Sequence, residues 1–483
     1  MNINWLYVLG FIVDWVIRIG FLIYIPRKRK PSSAIAWLLI ILLIPGVGIL
    51  LFLVIGSPKL SKRRRAKQAR IDKLFEAATD VLNNELSTLS AEEQKRIQPI
   101  VELTRSLGKL RAVSGNKFKI LPEYNKVIDD IVAEINKSKK LVHLEYFILA
   151  LDETTQPIFD AMEAAVKRGV KVRVLFDGMG YKAYPRRGEM KKLLTDIGVE
   201  WHVILPPTLR LKNYNRIDLR NHRKILVIDN QVAYIGSQNL IDRTYHRKDD
   251  IYYDELVVKM TGPIVIQCAA VFAGDWYQET NELLKITNNP KRPVLPAKTG
   301  KVIAQLLPSG SGYETQNNAR VFAALIHSAR KKIVITNPYF VPDEPILDAI
   351  TSAAIRGVDV TIINSESMDQ WMVGHAERSY YSELMSAGIK IYLHKSPVLL
   401  HSKHITIDDD IAVIGSSNMD IRSFELNLEC IVVAYSKSVV KDLQKVQKLD
   451  ISNSKKINPK TWEQRTTMAK FLDSVARLTA ALQ

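Results

Sequence analysis

Two cysteines, Cys268 and Cys430, are all that 483 residues contain. They provide neither a disulfide framework nor a cysteine zinc site. Both suit a reduced compartment, where an isolated thiol serves as a small core residue. A glycine-rich loop of the Walker type is also missing, so no nucleotide-phosphate cradle is expected. No Ala-x-Ala cleavage pattern follows the first apolar run, which is therefore read as a retained anchor and not a signal peptide. Apolar residues are not scarce: at 47 % of the chain they exclude wholesale disorder.

Acidic residues are nearly absent from the first seventy positions, which hold twelve Lys and Arg against Asp14 alone. The whole chain carries +18, so the other residues account for only +7. A uniformly basic protein would point to nucleic acid; an excess confined to one end, beside apolar runs, points to an anionic membrane.

Ile3 to Ile25 is predominantly apolar and about 35 Å long as a helix, enough to span a bilayer. Trp5, Tyr7 and Tyr24 sit near its ends as interfacial aromatics. Asp14 and Arg18 share one face inside it. They either face a helix partner or water-lined groove, or simply pair with each other in a tilted helix. A second apolar run, Ala34 to Ile55, is broken by Pro45, Gly46 and Gly48 and lies between the basic clusters Arg27–Lys30 and Lys59–Arg70. A re-entrant hairpin keeps both clusters on the cytoplasmic side; a kinked full span separates them. The sequence leaves both open. Residues 1–58 are thus expected to form a membrane anchor, and residues 59–115 a basic juxtamembrane connector, solvated for most of its length.

From residue 116 the chain repeats itself. The strand Leu141–Phe147 is matched by Lys332–Phe340. Arg-Gly-Val-x-Val occurs at Arg168–Val172 and again at Arg356–Val360, and Gly198-Val199 is matched by Gly388-Ile389. Each marks a helix stopped by glycine before a β-branched run. The expected fold is α/β, two sandwich domains over residues 116–290 and 299–483, with a boundary near Lys291–Lys298.

The deepest repeat is chemical. His222-x-Lys224-x4-Asp229 continues to Gly236-Ser237-x-Asn239, and His401-x-Lys403-x4-Asp408 continues to Gly415-Ser416-x-Asn418. Six residue types recur at the same offsets. On a strand each His and Lys share a face, the Asp opens a turn, and the Ser and Asn return neutral donors to the His end. One imidazole, one ammonium and hydrogen-bond donors per half suit a phosphoryl group. Two imidazoles can divide nucleophilic attack and proton delivery. Each should have a carboxylate fixing its tautomer; Asp254 and Glu429 are the candidates, with Glu255 a rival in the first half. A metal site is not expected, because each Lys would repel a cation beside its His. The remaining histidines, among them His143, His202, His327, His375 and His394, are scattered and read as structural.

The duplicated motif resembles the phospholipase D superfamily over roughly residues 110–483. Arg29-Lys-Pro-Ser-Ser-Ala-Ile-Ala-Trp37, and Asn239-Leu-Ile-Asp-Arg243 paired with Asn418-Met-Asp-Ile-Arg-Ser423, resemble bacterial cardiolipin synthases. That resemblance implies condensation of two phosphatidylglycerols into cardiolipin and glycerol, without cofactor or metal, through a phosphatidyl-histidine. It implies a site of His222, Lys224, Asp229, His401, Lys403 and Asp408, supported by Ser237, Asn239, Ser416, Asn418, Asp254 and Glu429. His222 is then the nucleophile and His401 the acid/base. An anionic phospholipid membrane is the expected partner, nucleic acid is not, and the expected place is the bacterial inner membrane with catalytic domains on the cytoplasmic side. A hydrolytic phospholipase or another phosphatidyltransferase is the nearest alternative; a nuclease or a non-catalytic scaffold is more distant.

Overall fold

In the computed structural model the described residues are 5–29, 31–57, 59–79, 86, 89–208, 215–245, 250–286, 296–313 and 316–479. Most of the expected boundary near Lys291–Lys298 lies outside them. The chain divides into two units, residues 1–59 and 60–483.

In the first unit, Trp5–Tyr24 is a 20-residue helix and, among the described residues, the one long and apolar enough to cross a membrane. Arg18 donates to Asp14 at 2.7 Å and also to the carbonyl of Leu42 at 2.7 Å. Mutual pairing and a helix partner therefore operate together. The second apolar run is two helices, Pro31–Leu43 and Pro45–Ile55, about 20 Å and about 16 Å long and each short of the roughly 30 Å hydrocarbon layer. Pro45 lacks the N–H that would continue the first of them. The chain then folds back: a Cβ on Gly48 would lie 2.7 Å from the Ile40 oxygen and 2.8 Å from Ile41 Cα, whereas seven positions along one helix span about 10 Å. Phe52 returns to within 5.3 Å of the Trp37 ring, with the Arg29 guanidinium 5.1 Å above it.

In the second unit the two repeats fuse into one 15-stranded sheet. From the centre outward the first repeat runs Val113–Leu121, Val257–Thr261, Val232–Gly236, Ile225–Ile228, Leu141–Tyr146, Lys171–Asp177, Glu200–Ile204. The second runs Val302–Ser309, Glu429–Tyr435, Ile411–Gly415, His404–Ile407, Lys332–Thr336, Asp359–Ser365, Lys390–His394, then Ser454–Lys456. The order is the same, with one strand added. Val113–Leu121 and Val302–Ser309 join the halves antiparallel. Every residue of Val302–Ser309 and Glu429–Tyr435 is buried, as expected of strands covered on both faces. Gly198 and Gly388, with φ of 80° and 89°, end their helices as the sequence requires.

The segment between anchor and first repeat is exposed along much of its first helix, yet one face of it is docked. Helix Lys62–Thr79 buries Ile71 and Phe75, four positions apart on one face. Ile71 lies within 2.9 Å of where a Cβ on Gly274 would be, so the glycine admits the close approach. Arg64 adds a two-pronged bond to Glu279 at 2.8 and 2.9 Å. Helix Ala91–Gly108, opened by a Ser90/Glu93 capping box, buries Ile97, Ile100, Val101 and Leu107 in the second-repeat core.

Candidate active site

Each motif histidine ends a short segment that pairs with the opposite repeat. The His222 N–H donates to Leu428 O at 2.8 Å, and the His401 N–H donates to Asp254 O at 2.7 Å. Val398–Leu400 runs parallel to Tyr252–Asp254, and Asn221 bridges to Leu428 in the same way. The preceding amides are also held: Asn221 N–H by Asp177 Oδ2 at 2.9 Å, and Leu400 N–H by Ser365 Oγ at 2.7 Å. Backbone on both sides thus fixes where each imidazole points.

The residue after each accepting carbonyl supplies the carboxylate. Glu429 reaches His222 Nδ1 at 2.9 and 3.1 Å, and Glu255 reaches His401 Nδ1 at 2.7 Å. Glu429 is therefore a histidine partner, but of the other repeat's histidine. Asp254 is not one. Its side chain pairs at 2.7 Å with Arg243, and only its main-chain oxygen touches His401. Alternation along the strand turns Asp254 outward and Glu255 inward. Glu255, the rival, and not Asp254 is therefore the carboxylate on His401. The signal was present in Glu255-Leu-Val-Val and Glu429-Cys-Ile-Val, each glutamate two residues before the partner of the motif glycine, Val257 for Gly236 and Ile431 for Gly415.

Both lysines curl back: Lys224 Nζ donates to His222 O at 2.9 Å, and Lys403 Nζ to His401 O at 2.6 Å. Burial is the largest influence on each and lowers Lys224 to about 7 and Lys403 to about 8, against the pull of Glu429 and Glu255. Burial also carries His222 well below the ordinary imidazole value, reinforced by Lys224, Lys403, His401 and Arg422. That list draws on both repeats, so the two half-sites form one electrostatic cluster. His401 is lowered too, by burial, but Glu255 opposes the shift. The carboxylates diverge. Burial raises Glu429 to about 7, while Glu255, despite burial, is carried below its usual value by the charge and hydrogen bond of His401. Burial thus leaves Glu429 easier to protonate than Glu255, whose charge His401 sustains. With each Nδ1 engaged, Nε2 is the free nitrogen of both rings.

Ser416 Oγ donates to Glu429 at 2.6 Å, joined by Ser423 Oγ at 2.9 Å, a residue to which sequence reading gave no role. Ser237 Oγ accepts Leu256 N–H at 3.0 Å and contributes to holding Glu255 ionised. These serines brace the carboxylates. Asn239 Oδ1 accepts Ile148 N–H at 3.2 Å, whereas Asn418 Oδ1 is buried without a protein partner.

Asp229 and Asp408 stand apart from the cluster. Seven residues of extended chain, about 20 Å, separate each from its histidine. Asp229 accepts the N–H groups of Lys139, Lys140 and Leu141 at 2.7–2.9 Å. Asp408 accepts those of Arg330, Lys331 and Lys332 and pairs with Arg96 at 2.8 Å. Both have positive φ, 52° and 49°, a turn conformation that Asp tolerates. In both repeats the aspartate thus sits in the same amide-capping turn. Among the other histidines, His143 stacks on Phe272 at 4.4 Å and His375 pairs with Asp473 at 2.6 Å, away from both motifs.

A family model described as cardiolipin synthase, PLD-like domain, matches residues 131–276 and 322–449, and one described as phospholipase D-nuclease N-terminal matches residues 16–57. Cardiolipin synthase A of Proteus mirabilis (strain HI4320) is 30 % identical over 469 residues, 96 % of each chain. Cardiolipin synthase A of Escherichia coli (strain K12 / DH10B) is 31 % identical over 471 residues, covering 96 % of this chain and 95 % of that one. Among solved structures, a phosphatidylserine synthase of Haemophilus influenzae Rd KW20 shares the fold, with TM-score 0.60 and 15 % identity over 80 % of this chain and 99 % of that one.

Proposed function

The chain belongs to the cardiolipin synthase family with paired phospholipase D-like domains, and from that premise we propose that it joins two phosphatidylglycerols into cardiolipin and releases glycerol. The observation that carries this reading is the pair of imidazoles, each tied at Nδ1 to a buried glutamate and sharing two buried lysines.

His222, kept neutral, attacks phosphorus through Nε2. The bond from phosphorus to the glycerol oxygen breaks, and His401 delivers its Nε2 proton to the leaving oxygen. A terminal hydroxyl of the second phosphatidylglycerol then returns a proton to His401 and attacks phosphorus, breaking the P–N bond and restoring both histidines. Lys224 and Lys403 neutralise the nonbridging oxygens, and the phosphodiester anion in turn favours their charged forms. One phosphodiester replaces another, so the exchange is nearly balanced and needs no nucleotide. The ionised Glu255 beside His401 suits the acid, and the burial and neighbouring cations that keep His222 unprotonated suit the nucleophile.

The apolar helix Trp5–Tyr24 and the hairpin support residence in the bacterial inner membrane, with the catalytic repeats on the cytoplasmic side. The basic residues flanking the apolar runs favour anionic lipid over nucleic acid. Full-length protein given phosphatidylglycerol alone should release glycerol and cardiolipin in equal amounts. Phosphatidate in place of cardiolipin would instead make it a hydrolase.

A further inference from the structure

The surroundings of the two histidines differ in a way the duplicated motif does not announce. Around His222, apart from its partner Glu429, stand cationic and apolar groups: Arg422 acts on its charge, and the Phe147 ring lies 5.2 Å away with Lys224 above it at 5.5 Å. Around His401 stand two tyrosines, Tyr253 with ring centroids 5.5 Å from the imidazole and Tyr339 at 5.8 Å. Both hydroxyls are spent on one carboxylate. Tyr339 donates to both oxygens of Asp369 at 2.8 Å, and Tyr253 to Oδ2 at 3.1 Å.

Asp369 sits in the loop between strand Asp359–Ser365 and helix Trp371–Arg378 and is half-buried. Its field reaches the active site, since it is among the charges that support Lys403. The first repeat has no counterpart: after Asp177 its loop reads Gly-Met-Gly-Tyr-Lys-Ala-Tyr-Pro-Arg, without an acid. Asp177 itself is consumed by Asn221, Met179, Gly180 and Arg220.

The consequence follows from donor and acceptor counting. An ionised carboxylate offers about four acceptor positions, and two phenols occupy about half of them. Each phenol, its proton committed to Asp369, has only oxygen lone pairs left to offer. The open acceptor positions of Asp369 and the Tyr253 oxygen therefore make this corner rich in acceptors, while the Gln370 side chain donates to Tyr339. The carboxylate disfavours a phosphate there, and its open acceptor positions match a ligand carrying several hydroxyl groups. Lys403 and Lys224 nearby weigh against a second cation there.

We propose that Asp369, Tyr253 and Tyr339 form the headgroup subsite, taking the vicinal hydroxyls of a glycerol and holding its terminal oxygen toward His401. The subsite rests on the transferase reading above and deepens it: phosphate binds on the lysine side, and the polyol that leaves or attacks binds on the tyrosine side. A site built to accept hydroxyl hydrogen bonds discriminates strongly against analogues that lack them.

The test measures acceptor choice. Full-length protein in phosphatidylglycerol micelles is given labelled glycerol, 1-propanol or ethanolamine, and phosphatidyl transfer to each is scored. Wild type should prefer glycerol to 1-propanol. Asp369→Asn should lower that ratio of kcat/KM about tenfold or more, and Tyr339→Phe should move the ratio in the same direction. An unchanged ratio, loss of both transfers alike, or a wild-type preference for ethanolamine would overturn the subsite. Wild-type protein that produced only phosphatidate would overturn the transferase reading itself.

Discussion

Glu429 holds Nδ1 of His222 at 2.9 Å from 207 positions further along the chain, in the other repeat. Its counterpart, Glu255, holds His401 in the opposite direction at 2.7 Å. The carboxylates are exchanged between repeats, so neither repeat contains a complete half-site.

That exchange predicts a sharp contrast between neighbours. Glu255→Gln and Glu429→Gln should each lower kcat by about 10²–10⁴, as loss of a histidine-orienting carboxylate does elsewhere. Asp254→Asn should leave kcat within about threefold, because its side chain meets only a half-exposed arginine. Steady-state rates of the three variants decide it; equal losses at Asp254 and Glu255 would refute the assignment.

The motif aspartates should behave as structural residues. Asp408→Ala removes the acceptor for three backbone amides and for Arg96, a loss of about 2–4 kcal/mol in stability. The protein that remains folded should keep most of its kcat. Thermal unfolding beside the activity assay separates the two effects, and a dead but fully stable variant would return Asp408 to the chemistry.

The buried lysines should trade stability for activity. Lys224 is lowered to about 7 in the folded protein, so between pH 7 and the ordinary lysine value the unfolded chain binds a proton that the folded chain does not. Stability contributed by this group therefore rises with pH across that window, and its full cost is felt below pH 7. Lys224→Met should abolish transfer yet raise Tm by a few degrees at pH 6, an advantage that shrinks toward pH 10. In the wild type, kcat/KM should fall as pH climbs through 7–8, when Lys224 and then Lys403 lose charge in the free enzyme. A Lys224→Met variant less stable at pH 6 would contradict this.

The fold-back at Pro45 places constraints on the anchor. Cysteines introduced at Arg29 and Lys59 should react with an impermeant reagent from the same side of the membrane. Labelling from opposite sides would mean that Pro31–Leu43 and Pro45–Ile55 together span it.

What the sequence made legible was whatever depends on local pattern or on repetition. The αβ junctions at Gly198 and Gly388, the duplication of the α/β unit and the motif residues His222, Lys224, His401 and Lys403, which the structure gathers into one cluster, could all be read from it. Contacts that cross the repeats were not legible. Nothing near His222 announces Leu428, whose carbonyl sets its position. Recurrence alone does not separate roles at Asp229 and Asp408, because a turn demanding positive φ and an amide cap repeats as faithfully as a catalytic group. Helix Lys62–Thr79 looked solvated because its charges outnumber the two apolar residues, Ile71 and Phe75, that dock it. Asp369 escaped notice because it belongs to one repeat only.

The identity of the attacking group is the centre of the account. Acid-quenched turnover of phosphatidylglycerol, followed by mass analysis of the peptides bearing each motif, should find a phosphatidyl group on His222 in the wild type. The adduct should accumulate in His401→Gln only as far as the missing acid allows it to form, and it should be absent in His222→Ala. An adduct on His401, or one that survives in His222→Ala, would contradict it.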